Sequence, residues 1–225
     1  MRFPSGPLNQ VELMVKAIKT SKQAEKSIWG KGDKLTLKIL KKLPLTGDWL
    51  DLAAGDGRYV PELLEKVDNL TLSDMDQNAL FKVLHRIPKR KKFKIKTAVF
   101  DLTKKFPFNN KSFDGVFCTG ALHLFPKKVL QSTFNEIEQV LKPHGMIILD
   151  FATDVKRKFK GKTPEYLKNV PKYKSKPAKQ FLKKLLKDYK IKIYKSTFAK
   201  DLYCVPKYGF KSAGNFFLFV GKKAK

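Results

Sequence analysis

The chain has 225 residues and a formal net charge of +28 at pH 7, from 48 Lys and Arg residues against 20 Asp and Glu. Hydrophobic residues make up 42% of it, which is typical of a globular domain and excludes a disordered chain. No apolar run approaches the roughly 20 residues that cross a bilayer, and the first 20 residues lack the apolar core of a signal peptide. With two cysteines, Cys118 and Cys204, and no His/Cys cluster at zinc spacing, we expect a cytoplasmic protein without disulfides or a metal site.

Hydrophobic periodicity predicts two helices at the start of the chain, over residues 9–27 and 33–42, with Asp33 as the N-cap of the second. From residue 48 onward, strand-like and helix-like segments alternate. We predict strands at 48–54, 70–74, 92–100, 113–120 and 145–151, and helices at 58–67, 77–87 and 130–142. This alternation is typical of an α/β fold with a doubly wound, mostly parallel sheet and helices on both faces.

The last third of the chain differs in composition. Residues 152–177 contain three prolines and many lysines, and we expect little regular structure there. A helix at 178–189 and strands at 190–198 and 215–223 are predicted to follow. These two strands add a C-terminal antiparallel pair, so the complete sheet is expected to have seven strands.

A glycine-containing loop, LDLAAGDGRYV (50–60), lies between a predicted strand and a predicted helix. Such loops aim backbone N–H groups at a ligand. A dinucleotide-binding G-x-G-x-x-G loop would have glycine where Val60 stands, and a phosphate-binding G-x-x-x-x-G-K-[ST] sequence is absent here. Taken alone, the loop is also consistent with a turn that binds nothing.

Together with the segments that follow it, this loop resembles class I S-adenosylmethionine-dependent methyltransferases. Asp51, Ala53, Gly55 and Gly57 fall on the four positions of that family's D-x-G-x-G-x-G motif, with Ala53 in place of the first glycine. PFNNKSFDGV and EIEQVLKPHGMIIL further along resemble two other family motifs. The resemblance covers residues 45–152 and implies S-adenosylmethionine as the cofactor.

Further implications of the resemblance concern the ends of the predicted strands. Asp74, with Met75 beside it, would accept hydrogen bonds from both ribose hydroxyls. Asp101 and Leu102 would contact the adenine, and the carbonyls of Thr119 and Gly120 would hold the methionine amino group. The predicted cofactor-binding residues are Asp51, Ala53, Gly55, Gly57, Asp74, Met75, Asp101, Leu102, Thr119 and Gly120.

Four other residues near these positions have structural interpretations. We expect Asp76 to cap the helix that starts at residue 77, Asp114 to be structural and Cys118 to lie in the core. His123 is the nearest candidate for a general base, but a packing or capping role is favoured for it. The reaction implied is in-line attack on the cofactor's methyl group, and no catalytic residue is assigned.

The whole chain is interpreted as a single domain. N-terminal helices occupy residues 1–44, a cofactor-binding core 45–152, and a basic insert, a helix and the last two strands 153–225. The charge is uneven, because residues 1–150 contain 26 basic and 16 acidic side chains, whereas residues 151–225 contain 22 and 4. This asymmetry favours a surface for a polyanion. Compositional drift is the alternative, since only five basic residues are arginine.

We therefore predict RNA, either tRNA or rRNA, as the methyl acceptor, bound through the basic segments 85–94 and 156–176. A small-molecule methyltransferase of the same fold is an alternative, with Phe3, Trp29 and Tyr203 as candidate walls of an apolar acceptor pocket. A third interpretation, a cofactor-binding protein without catalytic activity, is less favoured because the motif residues are present.

Overall fold

The computed structural model describes residues 27, 32–159, 161, 163, 168–202 and 210–224. The predicted helix at 9–27 therefore lies almost entirely outside the described residues, as do Phe3, Trp29 and Tyr203. Within the described ranges, no helix is long and apolar enough to cross a membrane, and no three His, Cys, Asp or Glu side chains are grouped to hold a metal ion.

Seven strands form one mixed sheet in the order β3-β2-β1-β4-β5-β7-β6. The strands β1 to β5 are mutually parallel, and β7 runs antiparallel to both β5 and β6. Their bounds are β1 Asp48–Leu52, β2 Asn69–Asp74, β3 Ile95–Val99, β4 Phe113–Cys118, β5 Leu141–Phe159, β6 Tyr189–Leu202 and β7 Phe210–Lys223. The predicted fold class is confirmed.

Helices cover both faces of this sheet. They are α1 Lys34–Lys42, α2 Val60–Leu64, α3 Gln77–Arg86, α4 Lys127–Val140 and α5 Ser175–Leu185, with short 3-10 helices at Lys89–Lys94 and Leu122–Leu124. The first three contribute apolar side chains to a core on one face, around Trp49 and Leu218. The last two pack on the other face, around Val116 and Phe219. The chain order thus sorts the helices into two layers.

Two predicted helix caps are present. The Asp33 carboxylate accepts hydrogen bonds from the backbone N–H groups of Leu35 and Thr36 at 2.9 and 3.1 Å. The Asp76 carboxylate accepts one from Asn78 at 3.0 Å and begins α3. Each cap satisfies N–H groups that a helix leaves without partners at its start.

The expectation of little regular structure over 152–177 is wrong for its first part. Strand β5 continues to Phe159, because residues 156–159 pair with β7 through Lys156↔Ala213 and Phe159↔Phe210. The sequence DVKRKF has a weak apolar pattern of its own. Its strand conformation comes from main-chain hydrogen bonds to β7, so tertiary pairing overrides the local signal.

Other boundaries differ by a few residues. Helix α5 begins at Ser175, before the predicted start at 178, since Pro177 lies in its first turn, where a missing N–H costs nothing. The predicted strand at 92–100 is shorter at both ends, and residues 89–94 form a 3-10 helix. Strand β4 ends at Cys118, so Thr119 and Gly120 belong to the turn that follows.

Candidate active site

The site is built on the loop between β1 and α2. Its backbone turns sharply, because Ala53, Gly55 and Gly57 have φ values of 57°, 56° and 72°. The Ala54 N–H donates to the Ser73 carbonyl at 2.8 Å, and the Gly57 N–H donates to the Ala54 carbonyl at 2.9 Å. The loop is therefore tied both to itself and to strand β2.

Glycine is required at position 57 by its surroundings. A Cβ atom there would lie 2.7 and 2.8 Å from the two methyl carbons of Val83 on α3. Val60, the first residue of α2, stands where a dinucleotide loop would have its third glycine. Its side chain is fully buried in the core. The turn thus departs from the dinucleotide pattern at Val60 while keeping the close packing at Gly57.

Asp56 belongs to the same loop and holds it through buried contacts. Its side chain is buried, accepts a hydrogen bond from the Ser27 hydroxyl at 2.6 Å and pairs with Arg86 at 3.7 Å. A buried carboxylate needs such partners to offset its lost hydration. Arg86 therefore connects the end of α3 to the loop.

Asp74, at the end of β2, lies directly against the loop. One carboxylate oxygen accepts the Gly55 N–H at 2.8 Å, and the other accepts the Asp76 N–H at 2.9 Å. Each oxygen keeps capacity for a second donor. Burial raises the pKa of Asp74, although the hydrogen bonds from the Asp76 and Gly55 N–H groups oppose that effect. The carboxylate is thus positioned to accept two hydroxyl donors.

Acidic groups surround the ends of the central strands. Asp51 and Asp150 are 3% and 2% exposed. Burial, followed by the charge of Asp74, raises the pKa of Asp51 to about 8, while Arg58 acts in the opposite direction. Burial and the charges of Asp150, Asp51 and Asp74 together raise the pKa of Cys118. Acidic side chains thus cluster at these strand ends in a protein with a net charge of +28, and Asp51 among them is protonated at neutral pH.

The turn after β4 brings in basic and neutral groups. The Gly120 N–H donates to the Asp150 carboxylate at 2.7 Å, and Arg58 reaches the same turn, since a Cβ on Gly120 would lie 3.3 Å from its Nη2 atom. Burial, then Arg157 and Arg58, lowers the pKa of His123 to about 3. The imidazole is consequently neutral at physiological pH.

His123 has a structural environment and an unsatisfied polar atom. Its ring lies edge-on to Phe151 with centroids 6.3 Å apart, which agrees with the expected packing role. Its Nδ1 atom is buried and has no hydrogen-bond partner within the part of the chain that the structure describes. Buried polar atoms are normally paired, so this nitrogen has an unused hydrogen-bonding capacity.

The other predicted cofactor-binding residues lie around the same sheet edge. Asp101 follows β3 by two residues rather than ending it, and its carboxylate accepts the Thr103 N–H at 2.8 Å. Leu102 is buried, and its carbonyl accepts the Thr133 hydroxyl at 3.2 Å. Met75 and Thr119 are partly buried in turns beside Asp74 and Gly120.

Two structural predictions near the site hold. Asp114 accepts the Asp48 N–H at 2.8 Å and pairs with Lys142 at 2.8 Å, at the opposite end of β4 from the site. Cys118 is fully buried in the core.

Arg58 and Asp150 are not among the predicted site residues, and Arg157 was predicted only as part of the RNA-binding segment 156–176. The rarity of arginine was a usable sequence signal. Only five of the 48 basic residues are arginine, and two of these, Arg157 and Arg58, lower the pKa of His123.

Comparisons with known proteins identify the central segment of the chain. Residues 50–149 match the family model of a methyltransferase domain. The chain carries a methyltransferase domain, in the fold of class I S-adenosylmethionine-dependent enzymes. Its cofactor is S-adenosylmethionine. No curated protein matches this methyltransferase in sequence.

Solved structures share the methyltransferase's fold at low identity. A S-adenosylmethionine-dependent methyltransferase from Methanosarcina mazei is 19% identical with a TM-score of 0.60, and the match covers 84% of this chain and 98% of that one. Phosphoethanolamine N-methyltransferase 2 of Haemonchus contortus, solved with phosphomonomethylethanolamine and S-adenosylhomocysteine, is 17% identical with a TM-score of 0.68. That match covers 99% of this chain and 62% of the other.

The methyltransferase's own residues define what the site does chemically. S-adenosylmethionine supplies a methyl group on a positively charged sulfur, which is already a good leaving group. Asp74 and the loop at Gly55, joined by a hydrogen bond of 2.8 Å, are the residues that we predict to bind and orient the cofactor. Positioning and exclusion of water account for catalysis of this kind.

Proposed function

We propose that this methyltransferase transfers the methyl group to RNA. The observation behind the proposal is the charge of the β5 extension, which begins beside the site. Lys156 and Lys158 are exposed on this strand. The charge of Arg157, which lies between them, contributes to the lowered pKa of His123. Lysines at the rim of a catalytic site are suited to bind the phosphates of a nucleic acid whose base enters it.

The second basic segment, 85–94, contributes less than its composition suggests. Lys91 pairs with Glu65, and Lys94 donates to the Val67 carbonyl at 3.1 Å. Arg86 pairs with the buried Asp56. These three side chains stabilise the fold. Of the remaining cations in this segment, Lys89 and Arg90 are exposed and Lys92 is half-buried. Of the predicted segment 156–176, Lys172 is exposed and Lys174 lies 3.9 Å from Asp154.

A small phosphorylated acceptor is the second candidate. It is favoured by the Haemonchus contortus enzyme, whose structure holds a phosphorylated amine and whose match spans 99% of this chain. Both candidate acceptors carry negatively charged phosphate groups. They differ in the pool, RNA or small molecules, into which a radiolabelled methyl group would be transferred.

Tritium transfer from labelled S-adenosylmethionine into separated RNA, protein and small-molecule pools tests both. The RNA proposal predicts labelled RNA that is lost on nuclease treatment, and no such label with the Asp74→Ala variant. Label confined to small molecules would support the second candidate and remove the first.

Binding to tRNA gives an independent test of the RNA surface. Affinity is expected to fall steeply with salt, because each phosphate contact releases counterions. The double variant Lys156→Gln/Lys158→Gln should weaken it several-fold. A matched control, Lys183→Gln/Lys184→Gln, removes the same charge from exposed positions on α5 and should change it little. No binding at low salt would overturn the RNA proposal.

A further inference from the structure

Strand β5 contains an extra residue just beyond the site. Pairing with β7 runs without interruption up to Thr153↔Asn215 and resumes at Lys156↔Ala213. Three steps on β5 therefore oppose two on β7, which defines a β-bulge. Because successive side chains of a strand alternate between the two faces of a sheet, the bulge moves every later side chain of β5 to the face opposite the one that simple alternation would give it.

The bulge places two lysines on the face of the sheet that carries α4 and α5. Phe217 of β7 lies in the core on that face, and Ala213, four residues before it in the same strand, shares its side of the sheet. Directly paired residues also share a face, so Lys156, the partner of Ala213, points the same way. Lys158 follows it on the same face, and both lysines are exposed.

Two further lysines begin helix α4 on this face. Lys127 and Lys128 are exposed in its first turn, which follows the turn after β4 and therefore lies at the same edge of the sheet as the site. The positive end of the helix dipole lies there, so cations at these positions oppose the helix. The first turn has no acidic residue and no side-chain cap. Lysines that weaken their own helix indicate a role other than stability.

Tyr173 connects β5, α4 and the segment before α5. Its hydroxyl donates to the Phe125 carbonyl at 2.7 Å, just before α4, and its carbonyl accepts the N–H of Asp154 in the bulge at 2.8 Å. The Lys127 ammonium lies 5.4 Å from the centre of the Phe181 ring on α5. These contacts bring the three segments together at one place. The exposed lysines on either side of Tyr173 are Lys172 and Lys174.

The exposed lysines of these three segments form a surface that we call the lysine rim. Its members are Lys127, Lys128, Lys156, Lys158, Lys172 and Lys174. Lys174 lies 3.9 Å from Asp154, whose carboxylate also accepts hydrogen bonds from Ser175 and Asn215. The other five lysines form no ion pair with any residue that the structure describes. Their charge is therefore left to attract an anionic partner.

A surface of this composition fits the phosphates of RNA better than a lipid membrane. Interfacial segments insert large apolar side chains into the bilayer. The exposed large apolar side chains in the described part of the chain lie away from the rim, at Phe81, Phe93 and Val99. Lysine contacts to the phosphates of a nucleic acid need no apolar neighbour, because release of counterions drives them.

We propose that the lysine rim is the surface along which the RNA backbone passes the candidate site, and that α4 binds it through Lys127 and Lys128. The inference rests on the methyl transfer to RNA proposed above and deepens it. The β5 extension is then one part of a longer surface. The bulge is the element that aligns the two lysines of β5 with those of α4.

Binding of tRNA at several salt concentrations tests the part of the rim on α4. Lys127→Gln/Lys128→Gln should weaken binding several-fold and reduce the slope of log affinity against log salt concentration by about 2, because each phosphate contact contributes about 0.9. Lys187→Gln/Lys190→Gln removes the same charge from exposed positions beyond the other end of α5 and should leave the slope unchanged. Equal effects of the two double variants would overturn the proposal.

A combined variant tests whether one RNA molecule contacts both α4 and β5. Adding Lys156→Gln/Lys158→Gln to Lys127→Gln/Lys128→Gln should reduce the salt slope by about 4 in total, since contacts to the same phosphate backbone add. A combined variant that binds tRNA as well as either double variant would overturn the single surface. S-adenosylhomocysteine affinity, measured by calorimetry, should be unchanged in all of these variants, since the rim binds the acceptor.

The possible failures are distinguishable. If the unmodified protein binds and methylates tRNA but the α4 variant matches its control, the rim is wrong and the proposed function stands. Absence of tRNA binding by the unmodified protein at low salt would remove both. Flotation with vesicles of phosphatidylserine and phosphatidylcholine tests the other partner. Vesicle binding that Lys127→Gln/Lys128→Gln abolishes while tRNA binding is kept would assign the surface to lipid and overturn the proposal.

Discussion

The Asp74 carboxylate accepts a hydrogen bond of 2.8 Å from the backbone N–H of Gly55. This contact joins the acidic residue at the end of β2 to the glycine loop that follows β1. The two parts of the predicted cofactor site, 19 residues apart in sequence, therefore form one unit. A substitution at Asp74 is expected to affect both the contact with the ribose and the shape of the loop.

Asp74→Ala should raise the dissociation constant for S-adenosylhomocysteine about 100-fold or more. The two ribose hydrogen bonds predicted for this carboxylate are charge-assisted, at about 1.5–3 kcal/mol each. Calorimetry measures the loss. Asp188→Ala removes an exposed carboxylate after α5 and serves as the control, with unchanged affinity. An Asp74→Ala protein that binds normally would contradict the ribose role.

Ala53→Gly should stabilise the protein by about 0.5–1 kcal/mol. Ala53 has a φ of 57°, a conformation that strains any residue with a Cβ and that glycine adopts freely. Ala54 is outside the set of residues with positive φ, so Ala54→Gly should destabilise by a similar amount. Urea unfolding of the two variants distinguishes them, and changes of the same sign would contradict the argument.

Gly57→Ala should destabilise the protein by about 1–3 kcal/mol, because the new methyl group would overlap Val83 and φ at this position is 72°. Val83→Ala removes the overlapping methyls but leaves the backbone strain. In a double-mutant cycle, the loss caused by Gly57→Ala should therefore be smaller in the Val83→Ala background. Additive losses would show that the overlap is relieved in another way.

The neutral state of His123 is open to direct measurement. Burial and two nearby arginines hold its pKa at about 3, so its ring signals in nitrogen-15 NMR should stay those of neutral imidazole from pH 5 to pH 8. Loss of the signal in His123→Gln assigns it. A transition within that range would mean that the ring is more hydrated than its environment indicates.

Much of this fold could be predicted from the sequence, since alternating strand and helix patterns are local. The caps at Asp33 and Asp76 also followed from local chemistry. The extension of β5 to Phe159 did not follow, because its pairing partner lies some 50 residues later in the chain. Long-range pairing of that kind is invisible to a local pattern.

The candidate site also has a part that local sequence predicts and a part that depends on contacts between distant residues. Motif spacing placed Asp51, Gly55 and Asp74 on adjacent strand ends, and the structure brings them together. The position of Arg58 could not be predicted in this way, because it depends on how far a long side chain reaches toward the turn at Gly120.

Asp51 should make the stability of the protein fall as pH rises. Its carboxyl has a pKa of about 8 in the folded state against an ordinary value of 3.8, so between these values the folded state binds the proton that the unfolded state has lost. Over that window the free energy of unfolding should decrease by about 1.4 kcal/mol per pH unit from this group.

The Asp51→Asn variant has no titrating carboxyl at this position, so its free energy of unfolding should lack this dependence on pH. Urea unfolding at pH 5, 6, 7 and 8 should therefore show the variant gaining on the unmodified protein as pH increases. The comparison uses the difference between the two proteins, so other titrating groups cancel. Parallel curves over this range would mean that Asp51 is ionised in the folded protein, held in that form by Arg58.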